Sequence, residues 1–120
     1  MDPLYDNSGR VTGWLDGTDV LDLEGRYRAF ARGTHIYSYR NGDFVGWFED
    51  GWLWDTDLRA VASLSSASGG PPRPGLGGVP GQPDRYGRPV RPGVAGIPGR
   101  PGRSNSWSKK TWENFAPPAA

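Results

Sequence analysis

The chain has 120 residues, including 19 glycines, 12 prolines, 6 tryptophans, 5 tyrosines and 4 phenylalanines, and its formal net charge is +1. It contains no cysteine, which excludes disulfide bonds, a thiolate metal site and a cysteine nucleophile. His35 is its single histidine, so a pair of histidine ligands is excluded as well. We therefore expect neither a metal nor another cofactor.

Composition and charge both change near residue 65. Residues 1–64 contain 8 glycines, 1 proline and a net charge of −5, whereas residues 65–120 contain 11 glycines, 11 prolines and a net charge of +6. A segment so rich in glycine and proline is expected to be disordered. We therefore predict a folded domain over 1–64, a flexible Pro/Gly/Arg-rich linker over 65–104 and a C-terminal aromatic motif over 105–120.

The sequence also bears on location. No run of about 18 to 20 apolar residues is present, and the first residues lack a basic stretch followed by an apolar one. A cytoplasmic protein is the expectation.

A sequence pattern occurs four times in the first half. Its copies start 16, 17 and 16 residues apart, at Gly9, Gly25, Gly42 and Leu58. The fifth residue of each copy is small: Gly13, Ala29, Gly46 and Ala62. In three copies a large aromatic residue follows it: Trp14, Phe30 and Trp47. A unit this short cannot bury its apolar face alone, so the copies are expected to pack against each other, with the small residues at a crowded point near a symmetry axis.

The predicted elements are eight short strands. Residues 9–15, 25–31, 42–48 and 58–64 form one set, and residues 4–6, 18–23, 34–39 and 52–55 form the other. Turn pairs such as Asp16-Gly17, Arg32-Gly33 and Asp50-Gly51 separate them, and glycine in such pairs tolerates the positive φ that two-residue hairpins need. The sequence therefore predicts an all-β domain of four hairpins. We expect the hairpins to close into a barrel, because closure removes exposed strand edges.

Several of these residues resemble a known family. The segments Tyr5-Asp-Asn-Ser-Gly-Arg10, Tyr37-Ser-Tyr39 and Gly46-Trp-Phe-Glu-Asp-Gly-Trp52, followed by Asp55-Thr-Asp57-Leu-Arg59, are similar to the four-fold β-flower domain. In this bacterial family, hairpin petals form a shallow pseudo-four-fold barrel. The resemblance covers about residues 4–64 and implies the fold but no activity. At Leu58 the repeat expects glycine, so a different turn is predicted there.

The linker contains four Pro-x-x-Pro spacings: Pro71 to Pro74, Pro80 to Pro83, Pro89 to Pro92 and Pro98 to Pro101. Such spacings favour extended polyproline II conformation and are found in SH3 ligands. They also arise readily in a chain of this composition. A compositionally biased linker is the preferred interpretation.

The aromatic motif contains Trp107, Trp112 and Phe115. Thr111 is placed to cap a short helical turn, with Trp112 and Phe115 on one face. Large aromatic side chains favour burial. We expect the motif to dock on the acidic domain or to bind a protein partner.

The candidate docking residues on the domain are three tryptophans: Trp47, Trp52 and Trp54. Strand alternation places Trp52 and Trp54 on one face and Leu53 on the other. We expect this strand to be covered on both sides, by the motif or by a subunit contact.

The function classes can be ranked from these residues. No nucleophile motif accompanies His35, so catalysis is not expected and no catalytic residue is assigned. Nucleic-acid binding is not expected, because the aromatics lie mainly in the acidic half. The sequence predicts a non-enzymatic binding or scaffold module, with a peripheral membrane or lipid-associated module as the alternative.

Overall fold

The computed structural model describes residues 1–118, which form a closed antiparallel barrel and one helical turn. The elements are β1 (Asp2–Tyr5), β2 (Val11–Asp16), β3 (Asp19–Asp22), β4 (Tyr27–Arg32), β5 (His35–Ser38), β6 (Phe44–Glu49), β7 (Trp52–Asp55), β8 (Ala60–Ser63) and α1 (Trp112–Phe115). Each strand pairs with the next, and the pairing of Tyr5 with Ser63 closes the ring. The predicted all-β barrel of four hairpins is confirmed.

Two-residue turns connect β2 to β3, β4 to β5 and β6 to β7. In the last of these turns both Asp50 and Gly51 have positive φ, as a primed hairpin turn requires. In the first turn Gly17 has positive φ and Thr18 takes the second position. β3 therefore begins at Asp19, one residue later than predicted, and β5 begins one residue late at His35 in the same way.

Longer loops join β1 to β2, β3 to β4, β5 to β6 and β7 to β8. Each begins with a side chain that accepts a backbone hydrogen bond from the residue two positions later: Asp6, Asp22, Ser38 and Asp55. Each also contains a residue with positive φ: Gly9, Gly25, Gly42 and Leu58. The different turn predicted at Leu58 is wrong. Leu58 keeps the shared turn at φ 54° with its side chain fully buried, so packing offsets the unfavourable backbone conformation.

The small residues of the repeat lie against the backbone of a neighbouring strand. A methyl group at Gly13 would lie 2.5 Å from the carbonyl oxygen of Leu21, and one at Gly46 would overlap the carbonyl of Trp54. In both places the neighbouring strand shifts its register with the strand beyond it, which carries the extra residue of a β-bulge. The crowding thus arises between adjacent strands.

The inside of the barrel is filled by one apolar side chain from each odd-numbered strand. These residues are Leu4, Val20, Ile36 and Leu53, and each is fully buried. The side chains of the aromatic slot pack outside this ring: Trp14 and Phe30 in one cluster and Trp47 in another. The molecule is a shallow disc of 37 × 36 × 22 Å.

Candidate functional site

One end of the barrel is occupied by the C-terminal segment. We call this end the mouth and define it by the four longer loops, 6–10, 22–26, 38–43 and 55–59. Phe115 is 4% exposed and Ala116 is fully buried, and both pack against the ring formed by Leu4, Val20, Ile36 and Leu53. The motif therefore continues the barrel core.

The helical turn α1 places both of its aromatic rings toward the barrel. The ring centroids of Trp112 and Phe115 lie 6.1 Å apart, and Trp112 Nε1 donates a 2.9 Å hydrogen bond to the carbonyl oxygen of Thr12. Thr111 is the N-cap residue, as predicted, but its side chain makes no capping hydrogen bond. The tertiary contacts of the two aromatic side chains, rather than the cap, hold the turn in place.

A buried ion pair lies beside the motif. Arg28 is 2% exposed and donates from Nε to Asp22 Oδ2 at 2.8 Å. The same guanidinium reaches Glu113 Oε1 and the carbonyl oxygen of Ala116, each at 3.2 Å. Burial raises the pKa of Asp22, but hydrogen bonds and positive charge from Arg26 and Arg28 outweigh it and hold that pKa below its ordinary value.

Trp107 lies on the outside of the barrel. Residues 106 and 108 exchange backbone hydrogen bonds with Ala60, so the segment adds a short parallel bridge to β8. The Trp107 and Trp52 ring centroids lie 5.3 Å apart. Trp52 and Trp54 face this side and Leu53 faces the barrel interior, so the strand is covered on both faces by residues of the same chain.

Trp47 is separate from the aromatic motif. Its ring centroid lies 4.7 Å from that of Phe44 and 5.4 Å from the guanidinium carbon of Arg100. The predicted site residues thus fall into three places. Phe115 and Trp112 lie at the mouth, Trp107 joins Trp52 and Trp54 on the outer face, and Trp47 lies under the tail.

Shallow grooves surround the motif where it crosses the mouth. One groove, of about 340 Å³, is lined by Asp6, Thr12, Val61 and residues 107–112. Two more, of about 280 and 260 Å³, lie beside residues 22–26 and beneath Asn114. The motif therefore fills the centre of the mouth and leaves its rim open.

Between the barrel and the motif, residues 71–104 form a segment that we call the belt. It contains no helix or strand, and most of its residues are exposed. Its Pro-x-x-Pro spacings start at Pro71, Pro80, Pro89 and Pro98, nine residues apart each time. Four successive nonapeptides therefore span residues 71–106, and the belt comprises all but the last two residues of this run; the nine-residue period was not predicted.

Each nonapeptide donates one backbone hydrogen bond to a different barrel repeat. The backbone N–H of its seventh residue donates to the carbonyl oxygen of the positive-φ residue in one of the longer loops, at 2.8 to 3.3 Å. The four bonds run from Gly77 to Gly9, from Tyr86 to Gly25, from Ala95 to Gly42 and from Ser104 to Leu58. Successive nonapeptides thus contact successive repeats, and the belt makes one circuit of the disc.

A family model described as 4-fold beta flower protein matches residues 2–116. The chain belongs to this family. The match extends beyond residues 4–64, on which the resemblance was first noted, and takes in the belt and the aromatic motif of this β-flower chain. Neither the curated proteins nor the solved structures give a match.

The belt of the β-flower chain is held by arginine side chains. The guanidinium carbons of Arg91 and Arg100 lie 4.8 and 5.4 Å from the ring centroids of Phe30 and Trp47. Arg85 pairs with Asp16 at 2.8 Å. Tail cations therefore face carboxylates and aromatic rings of the barrel.

A second polar cluster of the β-flower barrel was also missed. Tyr39 donates from its hydroxyl to Asp19, and that carboxylate also accepts from Arg91 at 2.9 Å. Burial and the hydrogen bond to Asp19 raise the pKa of Tyr39 above its ordinary value. These residues carry no sequence signal of their own, because their partners lie far away in the chain.

Two further features were sought among residues 1–118 of the β-flower chain, a cluster of metal ligands and a membrane-spanning helix. In that range no three His, Asp or Glu side chains are grouped as metal ligands. No helix among the same residues is long and apolar enough to cross a membrane. The arrangement is suited to holding a peptide segment by apolar contact and hydrogen bonds.

Proposed function

We propose that this β-flower protein is a non-catalytic binding module whose binding surface is the mouth of the barrel. Its resident occupant is the chain's own C-terminal motif, and a protein partner carrying a similar segment exchanges with it. One observation carries the proposal: Phe115 and Ala116 enter the apolar ring of the barrel from outside the sheet.

The contacts of the motif indicate what a partner segment needs. An aromatic side chain takes the place of Phe115, a tryptophan or another ring with an N–H reaches the carbonyl of Thr12, and an acidic residue pairs with Arg28. These contacts combine burial with directional hydrogen bonds, which is how peptide grooves usually recognise a segment.

The membrane alternative has weaker support. Binding to anionic lipid requires free cations on one surface. In the tail, Arg85, Arg91 and Arg100 instead pair with carboxylates of the barrel. The paired cations favour attachment of the tail to its own barrel over attachment to a lipid or to a nucleic acid.

A competition experiment tests the mouth. Trp112→Ala and Phe115→Ala are combined in the full chain, and thermal unfolding establishes that the variant is folded. A fluorescent peptide of residues 105–118 is then added, and anisotropy is followed. We expect saturable binding to the double variant and at least about tenfold weaker binding to the unaltered protein, because the tethered motif has a millimolar effective concentration.

Val90→Ala is the matched control, since Val90 is 91% exposed and belongs to the belt rather than to the motif. This variant should bind the peptide no better than the unaltered protein. Equal binding to all three proteins, or no saturable binding to the folded double variant, contradicts the proposal.

A further inference from the structure

We propose that the perimeter of the barrel is a second peptide-binding surface, with four adjacent sites for extended Pro-x-Arg-Pro-Gly segments. The belt is its resident ligand, and the same nonapeptide presented by another molecule occupies it when the belt is released. The belt contacts the four longer loops and the aromatic rings outside the apolar ring, whereas the motif occupies the apolar ring itself, so the inference goes beyond the function proposed above.

The belt meets the barrel as a peptide ligand meets a receptor. It forms no helix or strand of its own, and each nonapeptide reaches a separate barrel repeat through the N–H of its seventh residue. A proline-rich chain is already extended before binding, which lowers the entropy cost of docking it.

The acceptor loops are shaped for close approach of this ligand. A methyl group at Gly9, Gly25 or Gly42 would overlap a belt carbonyl, that of Gly75, Asp84 or Gly93 respectively. Each carbonyl belongs to the fifth residue of its nonapeptide. Glycine at these loop positions therefore meets two needs, a positive φ and space for the ligand backbone.

The third residue of the nonapeptide supplies side-chain recognition. At Arg91 and Arg100 the guanidinium lies over an aromatic ring and pairs with a carboxylate, Asp19 and Glu49 respectively. An arginine in this position satisfies both partners at once.

Each of the two remaining sites differs on one side of the contact. Where the barrel repeat has Ser63 in place of the aromatic residue, Arg73 bonds to Ser63 Oγ at 3.2 Å and to the carbonyl of Leu64 at 2.8 Å. At the site beside β1, the third residue is Gln82, whose amide reaches the carbonyl of Met1 at 3.4 Å. We infer that the Arg91 and Arg100 sites dominate affinity.

The spacing of the sites suits the length of the ligand. Thirty-six residues at the polyproline rise of about 3.1 Å span roughly 110 Å, close to the perimeter of a disc of 37 × 36 Å.

The test releases the belt from an otherwise complete protein. Protease recognition sites are inserted after Ser66 and after Asn105, both exposed, so that cleavage leaves the belt as a separate peptide beside the barrel and the motif. Native mass spectrometry and size-exclusion chromatography report whether it stays bound. A labelled synthetic belt peptide, residues 67–105, then reports exchange.

We expect the released belt to remain bound and to exchange with the labelled peptide. A peptide with Arg91→Gln and Arg100→Gln should bind about tenfold more weakly or worse, since each loses an ion pair and a cation–π contact. A peptide with one extra glycine after Gly87 should bind similarly poorly. A Val90→Ala peptide should match the unaltered one, because Val90 faces solvent. Immediate loss of the belt from a folded barrel, or equal binding of all four peptides, overturns the proposal.

A measurement on the uncut chain tests the inference even if cleavage unfolds the protein. Amide hydrogen exchange should be slow at Tyr86 and Ala95, whose N–H groups donate to the barrel, and fast at Gly87 and Gly96 beside them. One glycine inserted after Gly87 should abolish protection at Ala95 and preserve it at Tyr86. Equal exchange at all four residues of the unaltered protein overturns the inference as well.

Discussion

The indole of Trp112 and the backbone of Thr12 are joined by a 2.9 Å hydrogen bond that links the end of the chain to β2 across 100 residues. The neighbouring Gly13 leaves room for the indole, because a methyl group there would lie 2.8 Å from Trp112 Cζ2. Gly13, a small residue of the barrel repeat, therefore also leaves space for the motif.

Replacing Trp112 with phenylalanine keeps an aromatic ring and removes the N–H. We expect the free energy of unfolding to fall by about 1 kcal/mol, the usual net value of one hydrogen bond, measured by urea denaturation. Tyr86→Phe serves as the control, since Tyr86 is 59% exposed. Equal stability of the two variants contradicts a role for this hydrogen bond.

Asp22 predicts a dependence of stability on pH. Its pKa in the folded protein lies below the ordinary value, so the unfolded chain binds the proton more tightly. The stability it contributes is complete above the unfolded pKa of about 3.9 and is lost as pH falls through the folded pKa. The free energy of unfolding should therefore decline on acidification from about pH 5 downward.

Asp22→Asn isolates this contribution. It keeps the Oδ1 acceptor of the loop and leaves Arg28 buried without its carboxylate, so we expect a loss of about 3 kcal/mol at neutral pH and a shallower decline in acid. Asp57→Asn is the matched control at an exposed position of an equivalent loop. An unaltered acid profile in Asp22→Asn contradicts the prediction.

Leu58 separates backbone strain from side-chain burial. Leu58→Ala keeps the positive φ and removes a fully buried side chain, which should cost about 3 kcal/mol. Leu58→Gly removes the same side chain but relieves the strain, so it should be about 1 kcal/mol more stable than the alanine variant. Chemical denaturation of both variants measures the difference. An alanine variant as stable as the glycine variant shows that the strain is absent.

Trp52 and Trp14 are each 1% exposed but differ in hydrogen bonding. Trp52 Nε1 donates to the carbonyl of Ser68 at 3.1 Å, whereas Trp14 Nε1 has no partner among residues 1–118. Trp52→Phe should therefore destabilise by about 1 to 2 kcal/mol more than Trp14→Phe, since the latter removes an unpaired buried donor. Thermal unfolding compares them, and a reversed order refutes the assignment.

The barrel could be predicted because its signals are local. The Asp-Gly pairs that contain Gly17 and Gly51 mark hairpin turns, and the repeat spacing indicates that four units share one architecture. The turn at Leu58 was mispredicted because its strain is offset by burial of its own side chain, which depends on the assembled core.

The positions of the belt and of the motif at the mouth could not be predicted from composition, because they depend on contacts between residues far apart in the chain. The share of glycine and proline indicated a linker, yet the nine-residue spacing of Pro71, Pro80, Pro89 and Pro98 was present in the sequence. Its significance emerges only when each nonapeptide is placed beside a barrel repeat. The pairing of Arg28 with both Asp22 and Glu113 is equally invisible, because Glu113 lies 85 residues from Arg28.

The position of the belt after the barrel in the chain has a consequence for biosynthesis. Strands β1 to β8 leave the ribosome before residues 71–116, so the nascent barrel emerges while Phe30 and Trp47 are not yet covered by Arg91 and Arg100. Apolar rings uncovered at this stage invite association between neighbouring nascent chains. During this interval of translation, a chaperone or the belt of another copy can bind the uncovered barrel before its own belt does.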